Sequence, residues 1–222
     1  MRDLAVNFLR GPARDAQALY ILGDLFEYWI GDDPADATAR SVLEALAAAA
    51  AGGVQVAFMH GNRDFMLGET AARRGGFSLL TDPTVIDLFG RRALLMHGDT
   101  LCTDDKAYQR YRRVIRAAPI LALLRRLPLA LRHRIARSIR AKSETEKQRK
   151  SMVLMDVNAN AVEQAFTVHG VDLMIHGHTH RPAHHRLDVA GHACERIVLA
   201  DWYSHGSYLH ATRQGVQVMT VA

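Results

Sequence analysis

The sequence predicts a single α/β domain with a helical insertion, and three observations lead to this prediction. Apolar runs of strand length alternate with helix-forming segments along most of the chain. Four of these runs end in short motifs that are rich in Asp, Asn and His. Residues 106–156 interrupt the alternation with a long basic stretch at helical spacing. Because ligands of α/β sheets bind at the carboxyl ends of strands, the four motifs predict one shared site.

The individual elements follow from local sequence in chain order. Residues 6–16 predict a helix, and residues 19–24 predict a buried strand that stops at a glycine turn. The alanine-rich residues 36–51 predict a helix that Gly52 and Gly53 terminate. A Phe-Gly-Arg turn joins two of the remaining strands into a hairpin. These remaining strands are residues 54–59, 85–88, 92–96, 171–175, 197–199 and 216–221.

Composition excludes several classes of protein. The hydrophobic content of 49% and the charged content of 23% are typical of a soluble globular protein. No apolar run approaches the roughly 20 residues that a membrane-spanning helix needs. The chain starts without the apolar stretch of a signal peptide, and two cysteines, Cys102 and Cys194, are too few for a disulfide scaffold. These features predict a reduced, cytoplasmic protein, in which Cys102 is a small buried residue.

Positive charge is concentrated in the insertion. The whole chain carries a net charge of +5, yet residues 106–150 alone hold 15 Lys and Arg against two acidic residues. Such segregation favours contact with an anion, either a phosphate group, an anionic lipid or nucleic acid. A solvated helical face is the equally weighted alternative. Two or three amphipathic helices, interrupted at Pro119 and Pro128, are predicted here as a lid over the site.

The four motifs carry residue types that bind metals. Alone, Asp24 would more often be a helix cap, Asn62 a turn residue and His97 a core histidine. The pair His178 and His180 is more specific, because two histidines separated by one residue in a loop can direct both imidazoles at one centre. Together these oxygen and nitrogen ligands suit Mn²⁺, Fe²⁺ or Zn²⁺. Two such ions about 3.5–4 Å apart can bind a phosphate and activate a water molecule.

Longer motifs carry a resemblance to a known family. The chain resembles the calcineurin-like metallophosphoesterases and, among them, the UDP-2,3-diacylglucosamine pyrophosphohydrolases, from about residue 18 to residue 221. The most specific part is the extension DTLCTDD at residues 99–105. The other matching segments are YILGDLFE at 20–27, HGNRDF at 60–65, MDVN at 155–158 and IHGHTHRP at 175–182.

The resemblance implies a fold, a reaction and a set of residues. The fold is two packed sheets flanked by helices, and the reaction is Mn²⁺-dependent hydrolysis of UDP-2,3-diacylglucosamine in lipid A biosynthesis. Water attacks the uridine-side phosphorus, which yields UMP and 2,3-diacylglucosamine 1-phosphate. One metal is expected on the catalytic residues Asp24, Asn62, His97 and His178, and a second on Asp24 and His180. The expected substrate contacts are Asn62, Arg63, Asp105, Ser143, Lys147, Lys150 and His178.

One feature of the family is absent from the sequence. The family begins with an apolar strand followed by Asp-x-His, which completes the second metal site, and no Asp-x-His occurs in this chain. The sequence therefore predicts that the first strand is missing and that the second site is incomplete. Two hypotheses explain this: a start codon placed too late in the gene, or a truncated, inactive copy that only binds acylated glycolipid.

The insertion predicts the remaining partners. Its leucines are expected to line an acyl-chain cleft, and its basic residues to face diphosphate or an anionic membrane surface. This predicts a peripheral protein on the cytoplasmic face of the inner membrane. Another metallophosphoesterase, such as a nuclease or phosphomonoesterase, is the rival enzyme. Binding to nucleic acid is not expected, because Tyr108 and Tyr111 are the only aromatic residues of the insertion available for base stacking.

Overall fold

The computed structural model describes residues 2–33, 37–149, 156–203 and 206–221. Helices and strands alternate along these ranges. The helices are α1 (Arg2–Arg10), α2 (Ala37–Ala51), α3 (Glu69–Gly75), α4 (Lys106–Ile115), α5 (Ala118–Arg126), α6 (Leu129–Arg149) and α7 (Ala159–His169). The strands are β1 (Ala18–Ile21), β2 (Gln55–Met59), β3 (Ser78–Leu80), β4 (Thr84–Leu88), β5 (Arg91–Met96), β6 (Leu173–His176), β7 (Ala183–Val189), β8 (His192–Val198), β9 (Gly206–Thr212) and β10 (Gly215–Val221).

The strands form three hydrogen-bonded sheets within the described ranges. A three-stranded parallel sheet has the order β1-β2-β3, and a five-stranded sheet has the order β4-β5-β6-β8-β7. Strands β5, β6 and β8 are parallel to one another, whereas β4 and β7 run antiparallel at the edges. The hairpin of β9 and β10 is the third sheet. The predicted α/β fold with helix-flanked sheets is confirmed, and the hairpin is a separate sheet in addition to the predicted two.

The three-stranded sheet is covered by α1, α2 and α3. The alanine-rich sequence of α2 lets this helix approach its neighbours closely, and Leu46 and Ala49 are fully buried. Phe58 of β2 is also fully buried in the same cluster. The predicted helix over residues 6–16 is divided, since α1 ends at Arg10 and a short 3₁₀ helix follows at Pro12–Asp15. Strand β1 is an edge strand in the described part of the chain, and the missing first strand stays a prediction.

The five-stranded sheet buries both of its faces. Alternate residues along its central strands point in opposite directions, as the pleat requires. Leu94 and Met174 pack with Phe166 of α7 on one face. On the other face, Ala93 and Leu173 belong to a cluster that also contains Met59 of the three-stranded sheet. The two larger sheets therefore share a core, which fixes the positions of their strand ends relative to one another.

Helices α4, α5 and α6 occupy most of the segment predicted as a lid. Pro119 lies in the first turn of α5 and Pro128 directly precedes α6, so both prolines are at helix starts, where a missing N–H costs little. Arg132 fastens α6 to the body, because its buried guanidinium donates to the Ile30 carbonyl at 2.7 Å and pairs with Asp33. The division of residues 1–222 into one domain with a lid at 106–156 stays a prediction.

We expect Leu46→Ala to destabilise the protein by about 2–5 kcal/mol, because the substitution leaves a cavity in the core beneath α2. The matched control is Leu123→Ala on α5, where the side chain is 57% exposed. The control is expected to change the free energy of unfolding by less than about 0.5 kcal/mol. Urea unfolding followed by circular dichroism measures both values, and equal losses would contradict the assignment of the core.

Candidate metal centre

The metal-binding residue types follow strand ends of both large sheets. Asp24 follows β1 and Asn62 follows β2, whereas His97 follows β5 and His178 follows β6. The backbone turns sharply at these positions, since Asp24 has φ 56° and His178 has φ 68°. Gly23 permits the closest approach: a Cβ added there would lie 2.4 Å from the Gly61 nitrogen. The two sheets thus each contribute two candidate ligands to one place.

Ligand atoms of these residues converge. One atom each from Asp24, His97 and His178 lies within 4.8 Å of the others. The Asn62 Oδ1 atom lies 3.1 Å from His97 Nε2 and 2.9 Å from His178 Nδ1. The structure therefore brings together the four residues predicted for the first metal. One carboxylate, one amide oxygen and two imidazoles form a donor set that fits a divalent transition metal.

Hydrogen bonds orient the imidazole of His97. Its Nδ1–H donates to the Leu22 carbonyl at 2.7 Å, so Nε2 keeps its lone pair and faces Asp24 and Asn62. Burial lowers the pKa of His97, but the Asp24 and Asp99 carboxylates raise it by more, and the net pKa is above its usual range. For His178, burial and, to a smaller extent, the charge of the neighbouring His97 lower the pKa to about 3. A neutral His178 is the form that binds metal.

His180, predicted for the second metal, lies outside this group of ligand atoms. Its Nδ1 atom is 3.1 Å from Asp201 Oδ2, and its ring stacks on Tyr203 at a centroid distance of 6.0 Å. A carboxylate on one ring nitrogen fixes the tautomer and leaves the other nitrogen for a ligand. Asp201 was missed by sequence reasoning, because the aspartate follows the late strands and belongs to no metal motif.

Arg63 is held beside the candidate metal ligands. Its backbone N–H donates to Asp24 Oδ1 at 2.9 Å, and its guanidinium Nε lies 3.5 Å from Asp24 Oδ2. The same guanidinium lies over the Tyr203 ring, 5.6 Å from the centroid, and donates to the Tyr203 hydroxyl. Tyr203 is the second residue here that the sequence did not indicate. A guanidinium held in this way is ready to bind a phosphate oxygen.

Asp64 connects the loops that follow β1 and β2. Its fully buried carboxylate accepts hydrogen bonds from the Gly61 N–H at 2.8 Å and the Leu25 N–H at 2.9 Å. Burial, with a contribution from Asp24, raises the pKa of Asp64 to about 6. Asp64 therefore holds the loop that contains Asn62 against the loop that follows β1.

Asp99 connects the insertion to the metal centre. Its carboxylate is fully buried, and Oδ2 accepts hydrogen bonds from the Tyr108 hydroxyl and from Arg112 Nε, both at 2.7 Å. Arg116 lies 3.6 Å from the same oxygen and also donates to the Gly61 carbonyl at 2.8 Å. Burial would raise the pKa of Asp99, but His97 and the two guanidinium groups hold it well below its usual range.

Other predicted residues lie on the insertion or near its start. Asp105 caps α4, because its Oδ1 accepts from the Tyr108 N–H at 3.1 Å. Ser143 is exposed on α6. Lys147 belongs to α6, but its side chain lies outside the described residues, as does the whole of Lys150. Cys102 is buried, and burial with the nearby Asp99 raises the pKa of its thiol to about 12, which agrees with its predicted inert role.

Comparison with known proteins decides the family. The family model described as calcineurin-like phosphoesterase matches residues 3–182. The chain belongs to the calcineurin-like phosphoesterase family. Divalent metals are the cofactors of this family, in agreement with the ligand set around Asp24. In the described part of this calcineurin-like phosphoesterase, no helix combines the length and apolar character that crossing a membrane requires.

Curated relatives indicate which enzyme of the family this chain resembles. A protein of Aromatoleum aromaticum is 55% identical over 91% of this chain and 82% of its own length. A protein of Pseudomonas aeruginosa is 50% identical over 95% of this chain and 88% of its own length. One from Xanthomonas axonopodis pv. citri is 48% identical over 99% of the chain and 92% of its own length. All three are named UDP-2,3-diacylglucosamine hydrolase, which confirms the resemblance predicted from the motifs.

In this calcineurin-like phosphoesterase, we expect Asp99→Asn to destabilise the protein by about 3–5 kcal/mol, because the change removes the buried carboxylate that Arg116 pairs with and leaves Arg112 with Asp82 alone, 3.5 Å away. Urea unfolding measures the loss. The matched control is Asp87→Asn, an exposed residue whose Oδ1 accepts from the Gly90 N–H at 2.9 Å, a contact that asparagine can keep. A loss below 1 kcal/mol for Asp99→Asn would show that α4 is not fastened through this carboxylate.

Proposed function

We propose that this protein hydrolyses the pyrophosphate bond of UDP-2,3-diacylglucosamine in lipid A biosynthesis. The products would be UMP and 2,3-diacylglucosamine 1-phosphate, after attack of water on the uridine-side phosphorus. The observation that carries the proposal is the name shared by relatives 48–55% identical over 91–99% of the chain. The convergence of four metal-ligand side chains beside an arginine supports it independently.

The proposed cofactor is Mn²⁺. Asp24, Asn62, His97 and His178 would hold one ion, and Asp24 with His180 would contribute to a second. Such ions polarise a phosphoryl oxygen and lower the pKa of bound water. The chain itself contributes orientation: the Leu22 carbonyl and the Asp201 carboxylate direct the histidine rings.

The proposed substrate contacts combine polar and apolar groups. The polar contacts are those expected from the motifs, namely Asn62, Arg63, Asp105, Ser143, Lys147, Lys150 and His178. Leu121 and Leu124 of the insertion pack against the core of the three-stranded sheet. Leu123, Leu129 and Leu131 are instead exposed and remain available for acyl chains or lipid. The insertion would therefore both pack on the body and present an apolar surface.

The test of the reaction is release of UMP from UDP-2,3-diacylglucosamine by the full chain, with and without Mn²⁺. We expect metal-dependent release, and no release from UDP-N-acetylglucosamine, which lacks the acyl chains. Equal cleavage of both substrates would favour the rival phosphoesterase. Absence of UMP release in Mn²⁺ would overturn the proposed activity of this chain and favour an inactive protein that binds acylated glycolipid.

We also propose peripheral contact with the cytoplasmic face of the inner membrane. The exposed Leu123, Leu129 and Leu131 of α5 and α6 lie within a few residues of the exposed Arg125 and Arg126 in the chain. An apolar surface edged with arginine is suited to the interface of an anionic bilayer. Each basic residue near such a surface contributes about 1 kcal/mol.

We therefore expect Arg125→Gln with Arg126→Gln to weaken co-sedimentation with phosphatidylglycerol-containing vesicles on the order of tenfold. The matched control removes the adjacent exposed pair Arg73 and Arg74 at the end of α3. Equal weakening by both double variants would indicate attraction by net charge alone and would contradict the assignment of this surface.

A further inference from the structure

A pocket lies behind the histidine loop, on the face of the five-stranded sheet that α7 covers further along. Its volume is about 210 Å³, and Arg196 and Val198 of β8 form its floor together with His185 of β7. Thr179 and Arg181 of the histidine loop and Asp156 form its rim. None of the metal-ligand residues lines this pocket, although Thr179 lies between His178 and His180 in the chain.

The pocket has an excess of positive charge at its floor. Arg196 is only 9% exposed, and within the described ranges its guanidinium makes no ion pair. The acidic side chain at the rim, Asp156, is engaged by Arg181 at 2.5 Å. Residues 150–155, which precede Asp156, contain neither Asp nor Glu. Asp156 attracts Arg196 only from beyond ion-pair distance, so the burial of this guanidinium is only partly compensated.

The hydrogen-bonding capacity of Arg196 is only partly used. Its Nη1 atom donates to His176 Nε2 at 3.0 Å. Its Nε atom is buried and has no hydrogen-bond partner among the residues that the structure describes. Because the His176 Nδ1–H donates to the Gly177 carbonyl at 2.9 Å, its Nε2 atom keeps a lone pair and is the acceptor for Arg196. Arg196 lines the pocket with part of its hydrogen-bonding capacity unused, which favours a ligand that supplies an acceptor.

We propose that this pocket binds a small oxyanion, the phosphate or carboxylate group of a metabolite. Its oxygens would accept from the guanidinium groups of Arg196 and Arg181, with the Thr179 hydroxyl as a further donor. Guanidinium groups suit such oxygens because their planar donors match the spacing of a carboxylate or phosphate. The volume is sufficient, since a water molecule occupies roughly 30 Å³ in the liquid.

The pocket is connected to the metal centre through hydrogen bonds. Arg196 donates to His176, whose Nδ1–H donates to the Gly177 carbonyl at 2.9 Å. The Gly177 N–H in turn donates to the His97 carbonyl at 3.0 Å. His178 follows directly in the chain. An anion on Arg196 would therefore fix the loop that presents His178 and His180, and the proposed site would act as a support for the metal centre.

The test is calorimetric titration of the Mn²⁺-loaded full chain with inorganic phosphate and, separately, with acetate. Because Arg63 beside the candidate metal ligands would also bind phosphate, the titrations are made in an Arg63→Gln background. We expect this protein to keep one oxyanion site, and Arg181→Gln or Arg196→Gln to weaken it about tenfold or more, as expected for loss of a charged hydrogen bond. Binding of phosphate alone assigns a tetrahedral group, and binding of acetate assigns a carboxylate.

The control is Arg186→Gln, which removes an exposed charge from the opposite face of β7. This control is expected to bind the anion as the Arg63→Gln protein does. Arg181 is partly exposed at the rim, so we expect Arg181→Gln to fold. This variant therefore tests the proposal even if Arg196→Gln fails to fold. The proposal is overturned if the Arg63→Gln protein binds neither anion, or if Arg181→Gln and the control bind with equal affinity.

Discussion

The buried carboxylate of Asp99 is the contact on which the arrangement of the site depends. It lies two residues after His97 at the end of β5, and it holds α4 through Arg112 and the Tyr108 hydroxyl. Arg116 extends the same network to the Gly61 carbonyl, next to Asn62. One charge thus fixes the start of the insertion, the end of β5 and the loop after β2. Tyr108 is placed by this network 6.0 Å from the His178 ring, on which it stacks.

The candidate metal centre is built mainly by backbone geometry at strand ends. Asp24, His178 and His180 all have positive φ, a conformation that costs energy for residues other than glycine. Close packing at Gly23 holds the first of these turns against the loop of Gly61. Strained turns of this kind persist where the surrounding structure fixes them, and here the shared core of the two sheets does so.

Much of the fold and the first-metal group was predictable, because both depend on local sequence. Apolar runs of strand length that end in Gly-Asp24, Gly-Asn62 or His97 predict the strands of the sheets. The same runs also predict at which ends of these strands the metal ligands lie. Helix α7 was not predicted although Asn158 caps it and Val162 and Phe166 have helical spacing, and strand β7 was not predicted because its polar, histidine-containing sequence does not indicate a strand. The roles of Asp201, Tyr203 and Arg196 depend on contacts between residues distant in sequence, and no local pattern reports such contacts.

The division of ligands between the two large sheets has a thermodynamic consequence. Asp24 and Asn62 belong to the three-stranded sheet, whereas His97 and His178 belong to the five-stranded sheet. An ion bound by all four ties the layers together, and its binding free energy becomes part of the resistance to their separation. By the same linkage, any change that slides one layer over the other weakens the ion's affinity even when every ligand is kept. Packing at Met59 and Leu173, neither of which is a ligand, is therefore a determinant of metal occupancy.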